Sequence, residues 1–144
     1  MNKILLRLAK RAKGDNYLFL DFDGVIITAK QEIKEHVALV DRLCKTHDLK
    51  VVISSSWREY LPECTKVLRE AGFEGEIAGA TDLLGDDRNK QILRYLRKHQ
   101  YHKFVILDDL LLRELVDFQV KTDYRVGFDE QAYMQACAIL LKQK

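Results

Sequence analysis

The chain has 144 residues, 47% of them apolar, and its 24 basic and 22 acidic side chains leave a formal net charge of +2. That length supports one domain (1–144) burying about two thirds of its unfolded surface, while so even a charge balance excludes reading polyanion binding from composition. No apolar run approaches the roughly 20 residues of a membrane span, and the start lacks a signal peptide's uncharged core and small-residue cleavage site, so a soluble, cytoplasmic protein with no membrane partner is expected.

MNKILLRLAKRAK (1–13) carries five basic residues and no acidic one, with Ile4, Leu5 and Leu8 at helical spacing. It predicts a basic N-terminal helix packed on the domain by that stripe, its charged face available to an anionic substrate. YLFLDF (17–22) reads as a continuous apolar strand, and residues 31–46 as a helix with Ile33, Val37, Val40, Leu43 and Cys44 on one face. KVVISS (50–55) is a second strand. A helix then opens near Pro62, which suits a first turn, and stops at Gly72, which suits a left-handed cap. GEIAGA (75–80) is a third strand, 88–99 a helix buried through Ile92, Leu93 and Leu96, KFVILDD (103–109) a fourth strand, FQVKT (118–122) a fifth, and 129–142 a closing helix. Strands that are continuously apolar and separated by helices indicate a parallel sheet covered on both faces. The expected fold is α/β: a three-layer α/β/α, Rossmann-like arrangement around a five-stranded parallel sheet.

Cys44, Cys64 and Cys137 are widely spaced and form no paired motif, which argues against a disulfide framework or a zinc knuckle. His36, His47, His99 and His102 lack metal-ligand spacing.

The acids carry the chemistry. Asp21 and Asp23 end the first strand, Ser54, Ser55 and Ser56 the second, and Asp108 and Asp109 the fourth. An open parallel sheet sets strand carboxyl ends side by side where ligands bind, so these residues should meet at one edge. Buried carboxylates that repel each other need water or a cation, and an all-oxygen, carboxylate-rich rim suits Mg2+.

DFDGV, VVISSS, a basic residue opening the helix before the fourth strand, and ILDD resemble the four ordered motifs of the haloacid dehalogenase-like (HAD) phosphohydrolases over about residues 17–123. More narrowly, FLDFDGVI, ISSSWRE, R88NKQILRYL and VILDD are similar to the small HAD domain of RNA-repair proteins. The resemblance implies an aspartyl-phosphate mechanism with Asp21 as nucleophile and Asp23 as general acid and base. It further implies a phosphate-binding serine, matched best by Ser55 with Ser54 or Ser56 as alternatives, and a motif cation at Arg88, with Lys90 the alternative. The expected metal ligands are Asp21, the main-chain carbonyl of Asp23, Asp108 and Asp109 around Mg2+. Gly24 would leave room for the phosphate. Trp57 and Arg58 are candidate substrate contacts or plain packing residues.

The short intervals from Asp23 to Ser55 and from Ser55 to Asp108 leave no room for a large cap domain. Capless members of the superfamily are expected to act on phosphates carried by macromolecules, which favours an RNA or DNA end or a nucleotide. A partner protein or fused repair enzyme would then supply any lid. Two other readings stay open: a phosphorylated receiver domain, disfavoured because GEIAGA ends without an acid, and a non-catalytic module retaining the fold.

Overall fold

The computed structural model describes residues 2–11 and 13–143, with side chains from Leu6 onward. Five strands, β1 (Asn16–Leu20), β2 (Leu49–Ile53), β3 (Ile77–Ala80), β4 (Lys103–Asp108) and β5 (Gln119–Lys121), form one sheet in the order β3-β2-β1-β4-β5. All four pairings are parallel. The helices are α1 (Asn2–Ala9), α2 (Ile33–His47), α3 (Leu61–Glu70), α4 (Arg88–His99) and α5 (Glu130–Lys142).

Side-chain alternation along the strands divides the core into two slabs. Leu18, Leu20, Val51, Ile53, Val105 and Leu107 point to one face, where Val37, Val40 and Leu43 of α2, Cys64 and Leu68 of α3, and Ala136 and Leu140 of α5 cover them. Tyr17, Phe19, Val52, Phe104 and Ile106 point to the other, under Leu6 and Ala9 of α1 and Ile92, Leu93 and Leu96 of α4. With both faces buried, period-2 polarity disappears, which is why these strands are continuously apolar in sequence. The α/β/α architecture therefore stands as expected. Among the described residues no helix is long and apolar enough to cross a membrane.

Local signals set the boundaries. Pro62 lies in the first turn of α3, and Gly72, at φ +104°, follows its end while Phe73 donates back to the Leu68 carbonyl. The side chains of Asp87 and Asp129 cap α4 and α5 by accepting from the backbone N–H of Lys90 and Ala132.

One expectation needs correction. Ile4 and Leu5 lie outside the described side chains, and Leu8 is 62% exposed, so it does not belong to the buried stripe of α1. Leu6 and Ala9, one turn apart, are buried instead. Backbone bonds between Tyr101 and both Ala9 and Arg11 strap the helix end onto the α4–β4 connection, and this fixes the helix's rotation.

The chain leaves β3 at one edge and returns as β4 on the far side of β1, so the strand order reverses between β1 and β4. A crevice at the carboxyl ends of these two neighbours is the predicted ligand position. Residues 21 and 108 lie there.

Candidate active site

Leu20 pairs with Ile53 on one side and Leu107 on the other. The ladder continues one step further, because Asp21 N–H donates to the Leu107 carbonyl at 3.0 Å and Ser54 N–H to the Leu20 carbonyl at 3.1 Å. Asp21, Ser54 and Asp108 therefore form one row across three strands, on the α4 side of the sheet. Arg88, the first residue of α4, closes over that row.

Arg88 Nη1 stands 2.9 Å and 3.1 Å from the two oxygens of Asp108 and 3.4 Å from Asp21 Oδ2. Lys90 is exposed, with its backbone engaged by the Asp87 cap, so Arg88 is the cation that reaches the carboxylates. Donor oxygens of Asp21, Asp108 and Asp109 all lie within 4.8 Å of one another. At an effective dielectric near 20, the three carboxylate pairs, if all ionised, repel by about 10 kcal/mol together, and the Arg88 contacts with Asp108 and Asp21 return about the same. The cost of burial is left uncompensated. Accordingly, burial first and then the Asp108 charge push Asp21 up to about 8, against the pull of Arg88. Asp108 is also raised, by burial, with Arg88 and the Leu110 N–H opposing. Arg88 stays charged: burial works against it, but Asp108 and Asp21 more than offset this.

Those residues fit a hard divalent cation. The donors are all oxygen, their charges are under-neutralised, and a cradle is kept open beside them. Gly24 sits at φ +86°, and a Cβ there would fall against the Asp109 carboxylate, so glycine is required both for the turn and for the close approach. Thr122 Oγ1 donates to the Gly24 carbonyl at 2.7 Å and holds this turn to the segment after β5.

Asp23 lies outside the three-carboxylate cluster. Its side chain is exposed and accepts from Trp57 Nε1 at 3.0 Å, while the indole packs on Phe22 with ring centroids 5.8 Å apart. Trp57 thus orients Asp23, a role that sequence reasoning missed because the two are 34 positions apart. Arg58 is tied down at the Asp82 and Ser55 carbonyls, bracing the loop after β2 against the loop after β3. It is a packing residue here.

The three serines separate cleanly. Ser55 Oγ accepts from Trp57 N–H at 3.1 Å and caps a short 3-10 helix, Ser56–Tyr60. Ser56 is exposed. Ser54 is fully buried, in the row of Asp21 and Asp108, and its Oγ has no hydrogen-bond partner among the described residues. The buried side-chain oxygens of Thr81 and Asn89 likewise lack partners among the described residues, one just past β3 and the other beside Arg88. Buried polar atoms are normally satisfied, and of these only the Ser54 hydroxyl stands in the row of Asp21 and Asp108; His102 Nδ1, also without a partner among the described residues, lies at the other end of β4. Gln119, also missed in the sequence, donates from Nε2 to the Asp108 and Leu110 carbonyls and steadies the acid-bearing loop.

No curated protein and no solved structure matches the chain. The family model for the HAD domain in Swiss Army Knife RNA repair proteins matches residues 17–133, across both acidic strand ends, the serines and Arg88. With that match covering most of its length, the protein belongs to the family of HAD domains found in Swiss Army Knife RNA repair proteins.

Proposed function

We propose that the protein is a Mg2+-dependent phosphomonoester hydrolase acting on a phosphate at a nucleic-acid end or on a nucleotide. One observation carries this reading: Asp21, Asp108, Asp109 and Arg88 converge at the reversal point of the sheet, with the exposed Asp23 two residues beyond Asp21 and hydrogen-bonded by Trp57. An Asp21 carboxylate oxygen attacks phosphorus, the bond from phosphorus to the ester oxygen breaks, and the leaving oxygen takes the proton of Asp23. Asp23, now ionised, accepts a proton from water as that water attacks the phosphoryl-aspartate, releasing inorganic phosphate and restoring Asp21. Arg88 balances charge on the phosphoryl oxygens, and Ser54 donates its unengaged hydroxyl to one of them, in place of the Ser55 expected from sequence. Mg2+ would be held by Asp21, the Asp23 main-chain carbonyl, Asp108 and Asp109, and it would supply positive charge for the transferring group.

The substrate class follows from the open edge and the family's RNA-repair setting. Among the described residues no cap domain stands over the strand ends, so a phosphate on a large molecule has access. The test is release of inorganic phosphate, with Mg2+, from end-phosphorylated oligonucleotides, mononucleotides, sugar phosphates and phosphopeptides. Turnover of the first two classes and its loss in Asp21→Asn are expected. Unchanged turnover in Asp21→Asn, or hydrolysis confined to sugar phosphates or phosphopeptides, refutes the reading.

A further inference from the structure

The basic N-terminal stretch takes no part in the site just described, yet the fold gives it a defined setting. Residues 1–13 contain five basic residues and no acid, and α4 contains Arg88, Lys90, Arg94, Arg97 and Lys98 and again no acid, in a chain of net charge only +2. The two helices pack together on one face of the sheet through Leu6, Ala9, Leu93 and Leu96. Their basic ends meet at the amino edge of the strands.

That edge is built. Arg11 N–H donates to the Tyr101 carbonyl at 2.7 Å, Tyr101 N–H to Ala9, and His102 N–H to Asp15. Gly14 passes so close to Tyr101 that a Cβ would lie 2.7 Å from its carbonyl carbon. Two grooves share His99. One, of about 570 Å3, runs along α4 from Ala80 and Asp82 at the carboxyl end of the edge strand, past Arg94, to Arg97, Lys98 and His99; the other, of about 390 Å3, opens at the amino edge and is lined by Arg11, Lys13, Asp15, His99 and Gln100.

The acids beside these grooves are already paired. Asp82 and Asp86 hold Arg94 at 2.7 Å and 2.6 Å, a triad with one excess negative charge on the way to the active site, and Asp15 holds Lys50 at 3.1 Å. Arg97, Lys98 and Lys13 form no ion pair with any described residue. Between the grooves the exposed His99 ring is stacked on Tyr95, centroids 4.1 Å apart. Unpaired cations flanking an exposed flat ring are the combination that single-stranded nucleic acid uses, backbone on charge and base on ring. A membrane surface fits poorly, because Leu6 and Ala9 of α1 are buried in the protein.

We propose that this surface, formed by Arg11 and Lys13 with Arg97, Lys98 and His99, binds the backbone of single-stranded nucleic acid. Along α4, Arg97 to His99 lie nine to eleven residues from Arg88, about 14–17 Å at 1.5 Å each, so these residues hold strand away from the reacting end. The assignment rests on the nucleic-acid reading of the substrate, but its test needs no hydrolysis.

The probe is a fluorescein-labelled single-stranded RNA of about 12 nucleotides with hydroxyls at both ends, within the ~4–16 nucleotides such sites occupy. Without a phosphomonoester, its binding reports the surface alone, and a wrong phosphatase assignment leaves the result intact. Anisotropy should show binding with a log–log salt slope of about −3, as about four phosphate contacts give, and Arg97→Glu with Lys98→Glu should shrink that slope by about 1.4. Lys13→Glu alone should weaken binding several-fold. Lys66→Glu with Lys142→Glu, on the opposite helices, should change it less than twofold, and equal binding of DNA would support backbone contact. Circular dichroism checks that each variant is folded. Absence of binding at low salt, indifference to the Arg97 and Lys98 reversals, or capture by phosphatidylserine vesicles without RNA binding overturns the proposal.

Discussion

Replacing Ser54 and Ser55 separately by alanine should have opposite effects on stability and turnover. Ser54 is fully buried, and its hydroxyl has no partner among the described residues, so Ser54→Ala breaks no hydrogen bond of the folded protein. It also relieves an unsatisfied polar group of a desolvation cost of about 1–3 kcal/mol, so the Tm should hold or rise. Turnover should fall about 10²–10³-fold, the loss typical of one donor to a transition-state oxyanion. Ser55→Ala removes the cap on Trp57 N–H, worth about 0.5–2 kcal/mol, and should lower the Tm by a few degrees with turnover reduced only modestly through the Trp57 that orients Asp23. Thermal unfolding and phosphate release on the same preparations read both quantities. A collapse of turnover in Ser55→Ala with full activity in Ser54→Ala would refute the row of Asp21, Ser54 and Asp108 as the phosphate-facing side.

Asp21, pushed up to about 8, and Asp108, also raised, are held above the usual carboxylate range, so their protonated forms favour folding; that contribution is present below about pH 4 and, for Asp21, is lost as pH climbs through about 8. Without divalent cation, the Tm should therefore be lower at about pH 8 than at about pH 5.5, and Mg2+, which needs the ionised carboxylates, should raise it more at the higher pH. Equal Mg2+ shifts at both pH values, read by calorimetry, would count against the three-carboxylate cluster as the metal centre. Gly24→Ala places a methyl against Asp109 and strains a φ of +86°, at about 1–2 kcal/mol. The Mg2+-dependent rise in Tm and the phosphate release should fall together while circular dichroism keeps its shape; a full Mg2+ response would show that the cradle has another purpose.

Most of the elements were legible in the sequence because their causes are local. Apolar runs bounded by Gly72, the Pro62 first turn and the Asp87 and Asp129 caps act within a few residues, and a parallel sheet covered on both faces follows from strands without polar alternation. The gathering of Asp21, Asp108 and Asp109 was legible for the same reason: each directly ends or follows a strand, and parallel strands end together. Which neighbour a side chain meets is a different matter. Ser54 rather than Ser55 shares a face with Asp21 because Leu20 pairs with Ile53 and alternation does the rest, a register that no run of consecutive residues encodes. Arg88 reaches Asp108 across 20 positions, Trp57 reaches Asp23 across 34, and Leu8 gave way to Leu6 and Ala9 once Tyr101 strapped down the chain after α1. Residue types and strand ends determined what chemistry the edge of the sheet could hold. The tertiary structure decided which hydroxyl and which cation stand beside the acids of that edge, and which aromatic holds Asp23, because strand register and helix rotation are settled by contacts between segments far apart in the chain.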